Sequence, residues 1–473
     1  MTEPRSGMWW AGDSPVAAVP GTLTRVDDHW QLDLIGTLPV NTYWTDSLSL
    51  VPLERIYGAC HGVKYTLDGA RLTNSRGPVL TQQHLDPELT GDQCWQRWCG
   101  TVLIAGDTVP KDALFSSASF EFTGLSTWWP FSGLRGPSAA RSIDDYEPPE
   151  PLTVDLNDGS TLKLWVRERH VHGLRVRSLE ENVTIFFQGG EEFTFDYLIE
   201  SVIAPLRGLV AISLNSPSHV HSIELTQKVD GNREALQSRT PLVVDPGCAY
   251  EDPRELSPLL TAETLDLVNF LPRWMEIARA CQVPLSVAEP HDRSEDLTVQ
   301  VVSMVSAAET LHRILMPDPK KETSALAERV LEVMTEHGKF NSSERRKVAS
   351  SLSYSEISLE RRLQEIANAF GDEGSAWLFD GMMKDWALVS ATIRNALSHG
   401  YTTHHNVESD PGALVTVLRF TQITIVLRLL IAAGFPHDGD LVRHFSSNRR
   451  VLALVRQRMA SWPTLAERIR APR

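Results

Sequence analysis

Apolar and polar positions along this chain follow two different periods, and the change between them falls near residue 250. From Gly21 to about Phe131 the period is two. "WQLDLIG" and "ASFEFTGL" alternate apolar and polar residues, and "GTVLIAG" is a short apolar run between glycines. Successive side chains of a strand point to opposite faces, so these runs predict β-strands, with the frequent Gly and Pro as turns. "SGLRGPSAARSIDDYEPPEPL", Ser132 to Leu152, is rich in Pro, Gly, Ser and charge and predicts a linker or a long exposed loop. A second β-rich stretch follows. "LTVDLNDGSTLKLWVRE" predicts a hairpin about Asn157-Asp158-Gly159, "NVTIFFQGGEEFTFDYL" repeats the pattern about Gly189-Gly190, and "HVHSIELTQKV" predicts one more strand.

After "DPGCAYEDPREL" the apolar residues recur at i, i+3, i+4 and i+7. "TAETLDLVNFLPRWMEIARAC" and "LTVQVVSMVSAAETLHRIL" therefore predict amphipathic helices, and like patterns recur at about 322–337, 342–351, 356–370, 375–398, 411–434 and 447–459. Thr261 and Ser358 are placed to cap helix starts, while Pro317 and Pro411 punctuate the series. No internal repeat of 20–50 residues is present. The expected fold class is α+β. A β-rich region spans 1–250, as one lobe or as two (15–131 and 152–250), and an all-helical bundle spans 255–473.

Composition narrows the class. The chain has 473 residues, 42% apolar and 22% charged, which suits a folded globular protein of more than one domain. No run approaches 18 consecutive apolar residues, and "MTEPRSGMWWAGDSP" lacks a basic patch followed by an apolar core, so neither a membrane span nor a secretory leader is expected. Cys60, Cys94, Cys99, Cys248 and Cys281 are few, odd in number and scattered, which points to the reducing cytoplasm.

The net charge of −15 argues against a strongly basic nucleic-acid binder, but it is unevenly spread. Residues 1–254 carry 20 Lys+Arg against 33 Asp+Glu, whereas residues 255–473 carry 25 against 27, so the acidity belongs to the β-rich half. Two basic clusters, "NSSERRKVASS" and the arginines of "SSNRRVLALVRQRMASWPTLAERIRAPR", form candidate polyanion-facing surfaces or equally solvated helix faces. Cys60, His61, His84, Cys94 and Cys99 lack the short Cys-x2-Cys spacing of a zinc knuckle, and buried thiols with ordinary histidines account for them better. The paired tryptophans Trp9-Trp10 and Trp128-Trp129 suit core packing more readily than base stacking.

Candidate chemistry sits in "ATIRNALSHG". With 15 histidines in the chain, chance supplies about one Arg-x4-His match, so the bare pattern is weak. A second copy, Arg167-x4-His172 in "VRERHVHGLRVR", reads as a solvated strand end or turn. Arg394-x4-His399 differs because it ends a helical pattern that Gly400 can terminate, and because Asn395 directly follows the arginine. An earlier helix also carries an acid, Glu309, beside the largely apolar "SMVSAA". A histidine titrating near neutrality exchanges protons, and an arginine fork neutralises a phosphate as it becomes five-coordinate. Asn395 can orient the phosphate or the attacking hydroxyl. The set suits RNA cleavage by the neighbouring 2′-OH, without metal or cofactor, with two copies facing each other to supply acid and base. The alternative is a pair of ordinary helix-end residues, His399 on the helix dipole and Arg394 on a surface acid.

"IRNALSHG" on a late helix resembles the Arg-x4-6-His motif of the HEPN ribonuclease superfamily. "RIYGACHGVKYTLDGARLTNS" and "SASFEFTGLSTWWPFSG" are similar to the N-terminal domain of ApeA-type anti-phage proteins, which join that domain to a C-terminal HEPN domain. The resemblance covers roughly 15–245 and 260–460. It implies an abortive-infection ribonuclease that cleaves cellular RNA, with tRNA foremost, when infection supplies a trigger such as a phage protein. It further implies a homodimer or higher even oligomer. Arg394 and His399 match the catalytic pair, Asn395 the accessory polar position, and Glu309 more loosely the acid of an earlier helix. Two rivals stand beside it: a non-catalytic helical dimerisation module, and a carbohydrate-binding or hydrolytic β domain with facing carboxylates.

Overall fold

The computed structural model describes residues 4–12, 15–26, 29–38, 52–76, 94–134, 145–172, 177–227, 242–245, 258–290, 296–316, 325–338, 340–352, 357–403, 405–459 and 461–471. The chain divides into two units, Met1–Met275 and Glu276–Arg473.

The first unit is β-rich, and the alternating patterns form its strands. β1 (Arg5–Ala11), β2 (Val19–Val26), β3 (His29–Ile35), β4 (Pro52–Cys60), β5 (Val63–Arg76) and β6 (Trp95–Gly100) pair antiparallel in the order β4-β1-β2-β3-β6-β5. β5 then returns to β4, with Val63 opposite Cys60, so the six strands close into a barrel without a free edge. Along β3 every second residue is inward, and Trp30, Leu32 and Leu34 join Trp9, Ile56, Leu67 and Trp98 in the barrel core. Gly58 permits this packing, since a Cβ there would lie 2.3 Å from the Trp9 ring. The one buried amide of β6 is satisfied: Gln96 Oε1 accepts from the Leu38 N–H at 2.9 Å and the Trp98 indole at 3.1 Å.

The short strand β7 (Val102–Ala105) pairs with β5 and continues the same antiparallel sheet beyond the barrel as a seven-stranded extension. Its order is β7-β13-β12-β8-β11-β10-β9, from β8 (Leu114–Phe122), β9 (Leu152–Asp155), β10 (Thr161–His172), β11 (Arg177–Thr194), β12 (Val220–Thr226) and β13 (Leu242–Asp245). The lobes therefore do not part at Ser132–Leu152, because β8 on one side of that segment pairs with β11 on the other. Its described ends are tied down: the Gly133 N–H and the Tyr146 hydroxyl both donate to the Glu181 carboxylate. The β9–β10 hairpin forms as expected. Gly189-Gly190, by contrast, lies inside one continuous strand with a register shift between Gln188 and Phe193. A Cβ on Gly190 would meet the Gly159 carbonyl oxygen at 2.8 Å, so these glycines serve close approach rather than a turn.

Two features departed from the sequence pattern. After the one-turn α1 (Leu125–Trp128), residues 195–214 form a continuous helix, composed of α2 (Phe195–Tyr197), a π segment (Leu198–Ile203) and α3 (Ala204–Leu214). Most of it is buried, and its charged residues, Asp196, Glu200 and Arg207, fall on one exposed to half-exposed stripe. The unit boundary also falls at Met275, inside α4 (Leu267–Ala280), because the Trp274 indole donates to the Pro205 carbonyl at 2.8 Å and the Leu259 N–H to that of Ser213. Trp9, Trp128 and Trp129 are buried. Cys60 lies in the barrel core, while Cys99 sits 3.8 Å from the Thr73 hydroxyl. Among the described residues no three His, Cys, Asp or Glu gather in a metal-holding cluster. His84, Cys248 and Pro317 lie outside the described residues.

The second unit is helical: α5 (Gln282–Ala288), α6 (Leu297–Leu315), α7 (Ala325–Glu336), α8 (Ser342–Leu352), α9 (Leu359–Asn368), α10 (Gly371–Phe379), α11 (Met383–His399), α12 (Pro411–Ala432), α13 (Gly439–Phe445), α14 (Arg449–Met459) and α15 (Trp462–Arg470). The pattern at 375–398 is two helices, not one, because Asp380 (φ 48°) and Gly381 (φ 79°) turn the chain left-handed. The rings of Phe379, Trp386, Phe420 and Trp462 then meet at centroid distances of 5.1 to 6.1 Å and lock α10, α11, α12 and α15 together. The helices Phe195–Leu214 and Pro411–Ala432 are long and apolar enough to span a membrane by length and composition, but 67% and 72% of their apolar windows are buried within the fold.

Candidate functional site

α11 buries Trp386, Val389, Ile393 and Ala396 and leaves Arg394 and Asn395 half-buried on its flank. That flank lies against α6, whose Ser306, Glu309 and Arg313 fall on one stripe at helical spacing. The structure brings Arg394, Asn395 and Glu309 together. The Arg394 guanidinium donates from Nη2 to Glu309 Oε2 at 3.4 Å, from Nη1 to Asn395 Oδ1 at 3.1 Å and from Nε to the Ser306 hydroxyl at 3.4 Å. Glu309 is shared, since its other oxygen accepts from Arg313 Nη2 at 2.9 Å. Two guanidinium groups against one carboxylate leave about one unit of positive charge, the sign a phosphate needs.

His399 is placed differently. It is exposed on the last turn of α11 and makes no hydrogen bond or ion pair with the described residues. Five residues beyond Arg394, it stands about 7.5 Å further along the axis and roughly 140° round it, whereas Asn395, four residues away, shares its stripe. Gly400 (φ 67°) ends the helix as expected. The Gly400 and Tyr401 N–H groups both donate to the Ala396 carbonyl, so the chain leaves His399 in a defined direction. The second Arg-x4-His copy takes no part: Arg167 lies within β10, not on a turn, and pairs with Glu224 at 3.3 Å, and the His172 side chain is outside the description.

Sequence reasoning missed Ser306, Arg313 and a buried group one turn along α6. His312 is 1% exposed, with Nε2 at 2.7 Å from Glu365 Oε2 and Nδ1 at 3.1 Å from Arg362 Nη1. Arginine is a donor only, so Nδ1 is the acceptor and Nε2–H donates to the carboxylate. Ser306, Glu309 and Arg313 were visible in principle as an i, i+3, i+7 polar stripe, but partners on α9 and α11 were not.

The carboxylates here have a pH consequence. The His312 hydrogen bond holds the Glu365 carboxyl below its ordinary range, helped by Arg361 and opposed by burial. Arg468 does the same for Asp410, the N-cap of α12. A carboxyl depressed on folding contributes stability above its unfolded pKa and loses it as pH falls through the folded one. Thermal melts of the full chain should therefore hold level down to about pH 5 and fall progressively below about pH 4. Glu365→Gln should flatten that acid slope, and an unchanged slope would remove Glu365 from the account.

Residues 4–274 match the family model for ApeA N-terminal domain 1, and residues 302–438 match that for Apea-like HEPN. Ser306, Glu309, Arg394, Asn395 and His399 all fall within the second span. No curated protein and no solved structure matches the chain.

Proposed function

The chain belongs to the ApeA family of HEPN-type anti-phage defence proteins, and from that premise we propose that it is a metal-independent endoribonuclease. In this reading it cuts cellular RNA, tRNA foremost, in the cytoplasm of an infected cell and halts growth. The observation that carries the reading is one helix end that joins a braced arginine to an exposed histidine engaged by none of the described residues.

Each group then has a task. His399 of one copy takes the proton from a 2′-OH, which attacks the adjacent phosphorus. The bond to the 5′ oxygen breaks, and His399 of a second copy returns a proton to that leaving group. The products carry a 2′,3′-cyclic phosphate and a free 5′-OH. Arg394 neutralises the five-coordinate phosphate, and Asn395 orients it or the attacking hydroxyl. Glu309 and Ser306 are positioning residues that aim the Arg394 fork. A base, an acid and a cation suffice for this reaction, and side chains of these types supply all three. Each copy brings one His399 to the reaction, which makes a homodimer the smallest complete enzyme. The β-rich unit would sense the trigger, for which a phage protein is the proposed class.

A specific observation favours the rival, a non-catalytic bundle. Every guanidinium nitrogen of Arg394 has an acceptor within the chain, as a structural ion pair would. The test is total-RNA integrity and growth in phage-infected cells expressing the wild type or His399→Ala. Discrete fragments ending in 2′,3′-cyclic phosphate, present only with the wild type, support the nuclease. Intact RNA during wild-type growth arrest would move the activity elsewhere in the chain.

A further inference from the structure

Beyond the acid, base and cation, a nuclease must hold the nucleotide beside the scissile bond. We infer that Tyr401 is a substrate-positioning residue that stacks on a base flanking that phosphate, an inference that rests on the ribonuclease reading. Tyr401 lies two residues past His399 and is 47% exposed. Among the described residues its ring has no aromatic neighbour and its hydroxyl no hydrogen bond. An exposed tyrosine alone would mean little. What singles this one out is how firmly its backbone is held.

The backbone is fixed at its start, where the Tyr401 N–H donates to the Ala396 carbonyl at 3.2 Å. Two residues on, the Thr403 N–H and hydroxyl both donate to Glu408 Oε2, at 3.1 and 2.5 Å, and Glu408 is only 5% exposed. The same Thr403 oxygen accepts from the Val407 N–H at 2.9 Å. Arg468 closes the far side, donating to the His405 carbonyl at 3.2 Å and to Asp410 at 2.8 Å. Burying a carboxylate is costly, and here it serves to order the loop that follows the histidine. The result is a solvent-facing aromatic ring on an anchored backbone, two residues beyond the proton-transfer group. Every base offers a π-face, so such a plane binds single-stranded RNA with little sequence preference. The chemical class of substrate is thus an unpaired loop or end, with one base splayed onto the ring.

The test uses the full chain as wild type, Tyr401→Phe and Tyr401→Ala, each purified from phage-infected cells so that all three carry the same activation. Two readouts are taken: cleavage of a single-stranded oligoribonucleotide, and binding of the same sequence with 2′-O-methyl groups, which cannot be cut. Tyr401→Ala should lower kcat/KM and weaken binding by about 5- to 100-fold, while Tyr401→Phe stays near the wild type. Removing the base at one flanking nucleotide should cost the wild type a similar factor and cost Tyr401→Ala almost nothing further. Cleavage unaffected by Tyr401→Ala, or equal loss in Tyr401→Phe, overturns the inference and leaves the nuclease standing. Tyrosine-dependent binding without cleavage overturns the nuclease reading and keeps the base contact. Neither binding nor cleavage overturns both.

Discussion

His399→Ala is expected to lower RNA cleavage by about 100- to 10,000-fold, the usual contribution of a positioned acid or base, with no measurable change in folding. His399 is exposed and engages none of the described residues, so its loss removes no contact that supports α11. Arg394→Ala is expected to cost a comparable factor, about 100- to 1,000-fold, since it removes the donor fork from the developing phosphate charge. Its ion pair with Glu309 is long, at 3.4 Å, and partly open to water, so the stability lost should stay below about 1 kcal/mol. Glu309→Gln separates positioning from chemistry. It keeps the shape and one acceptor, so an intermediate loss of about 5- to 50-fold fits a residue that only aims the arginine. The comparison also decides against the rival. A structural ion pair predicts that Arg394→Ala and Glu309→Ala lower the melting temperature together and that His399→Ala does nothing. A nuclease predicts that His399→Ala, the variant with no structural contact, is the most damaging to cleavage. Single-turnover rates and melting curves on the four variants and the wild type, activated in the same way, read both.

How much of this was legible beforehand depends on whether a feature is written in neighbouring residues. The strands were, because alternation such as that of Trp30, Leu32 and Leu34 is a local signal. The helix ends were also local: Ser358 accepts from the Arg361 N–H as an N-cap, Asp410 and Pro411 start α12, and Gly400 stops α11. Closure of the barrel was not, because β5 meeting β4, β6 and β7 is a matter of pairing partners that no single strand encodes. The helix Phe195–Leu214 is hard to see because it is mostly apolar and 67% of its apolar window is buried, so only the three charges Asp196, Glu200 and Arg207 carry its period. At Asp380 the break was hidden for the opposite reason: apolar spacing carries on across the turn, and only a left-handed backbone reveals it. The site divides the same way. Arg394, Asn395 and His399 stand close in sequence and were read there. Glu309 is indicated only by its loose match to the family's acid on an earlier helix, and its meeting with Arg394 spans 85 residues. Ser306 and Arg313 were missed because nothing local distinguishes a polar stripe facing a partner helix from one facing water.

The same logic makes Arg362 the position where substitution should cost most stability. Its side chain is fully buried, and a lone buried charge is not tolerated. Nη1 reaches His312 Nδ1 at 3.1 Å and Nε donates to the Ile357 carbonyl at 3.2 Å, so the arginine joins α6, α9 and the segment before α9. His312 in turn donates a hydrogen bond from its other nitrogen to Glu365. Removing Arg362 leaves the buried Nδ1 without a donor and opens a cavity, so Arg362→Ala is expected to cost about 3–5 kcal/mol. Such a loss is a large share of a domain's total stability, about 5–15 kcal/mol. His312→Ala should cost a similar amount, because it takes one acceptor from a fully buried guanidinium and opens a cavity of its own. Glu365→Gln should cost least, since 31% of that side chain is in water. Denaturant unfolding followed by helical circular dichroism gives the order directly. The pair Arg362→Met with His312→Leu is the sharper experiment. Replacing both members by apolar groups removes the unpaired polar atom and refills the space, so the double variant should recover part of what either single truncation loses. Losses that merely add would mean that the two residues stabilise the unit independently. The consequence reaches the site as well. His312 and Glu309 are three residues apart on α6, so a helix loosened at His312 no longer holds Glu309 under Arg394. The single truncations should therefore slow cleavage under conditions where they remain folded, and the double variant should restore rate and stability together.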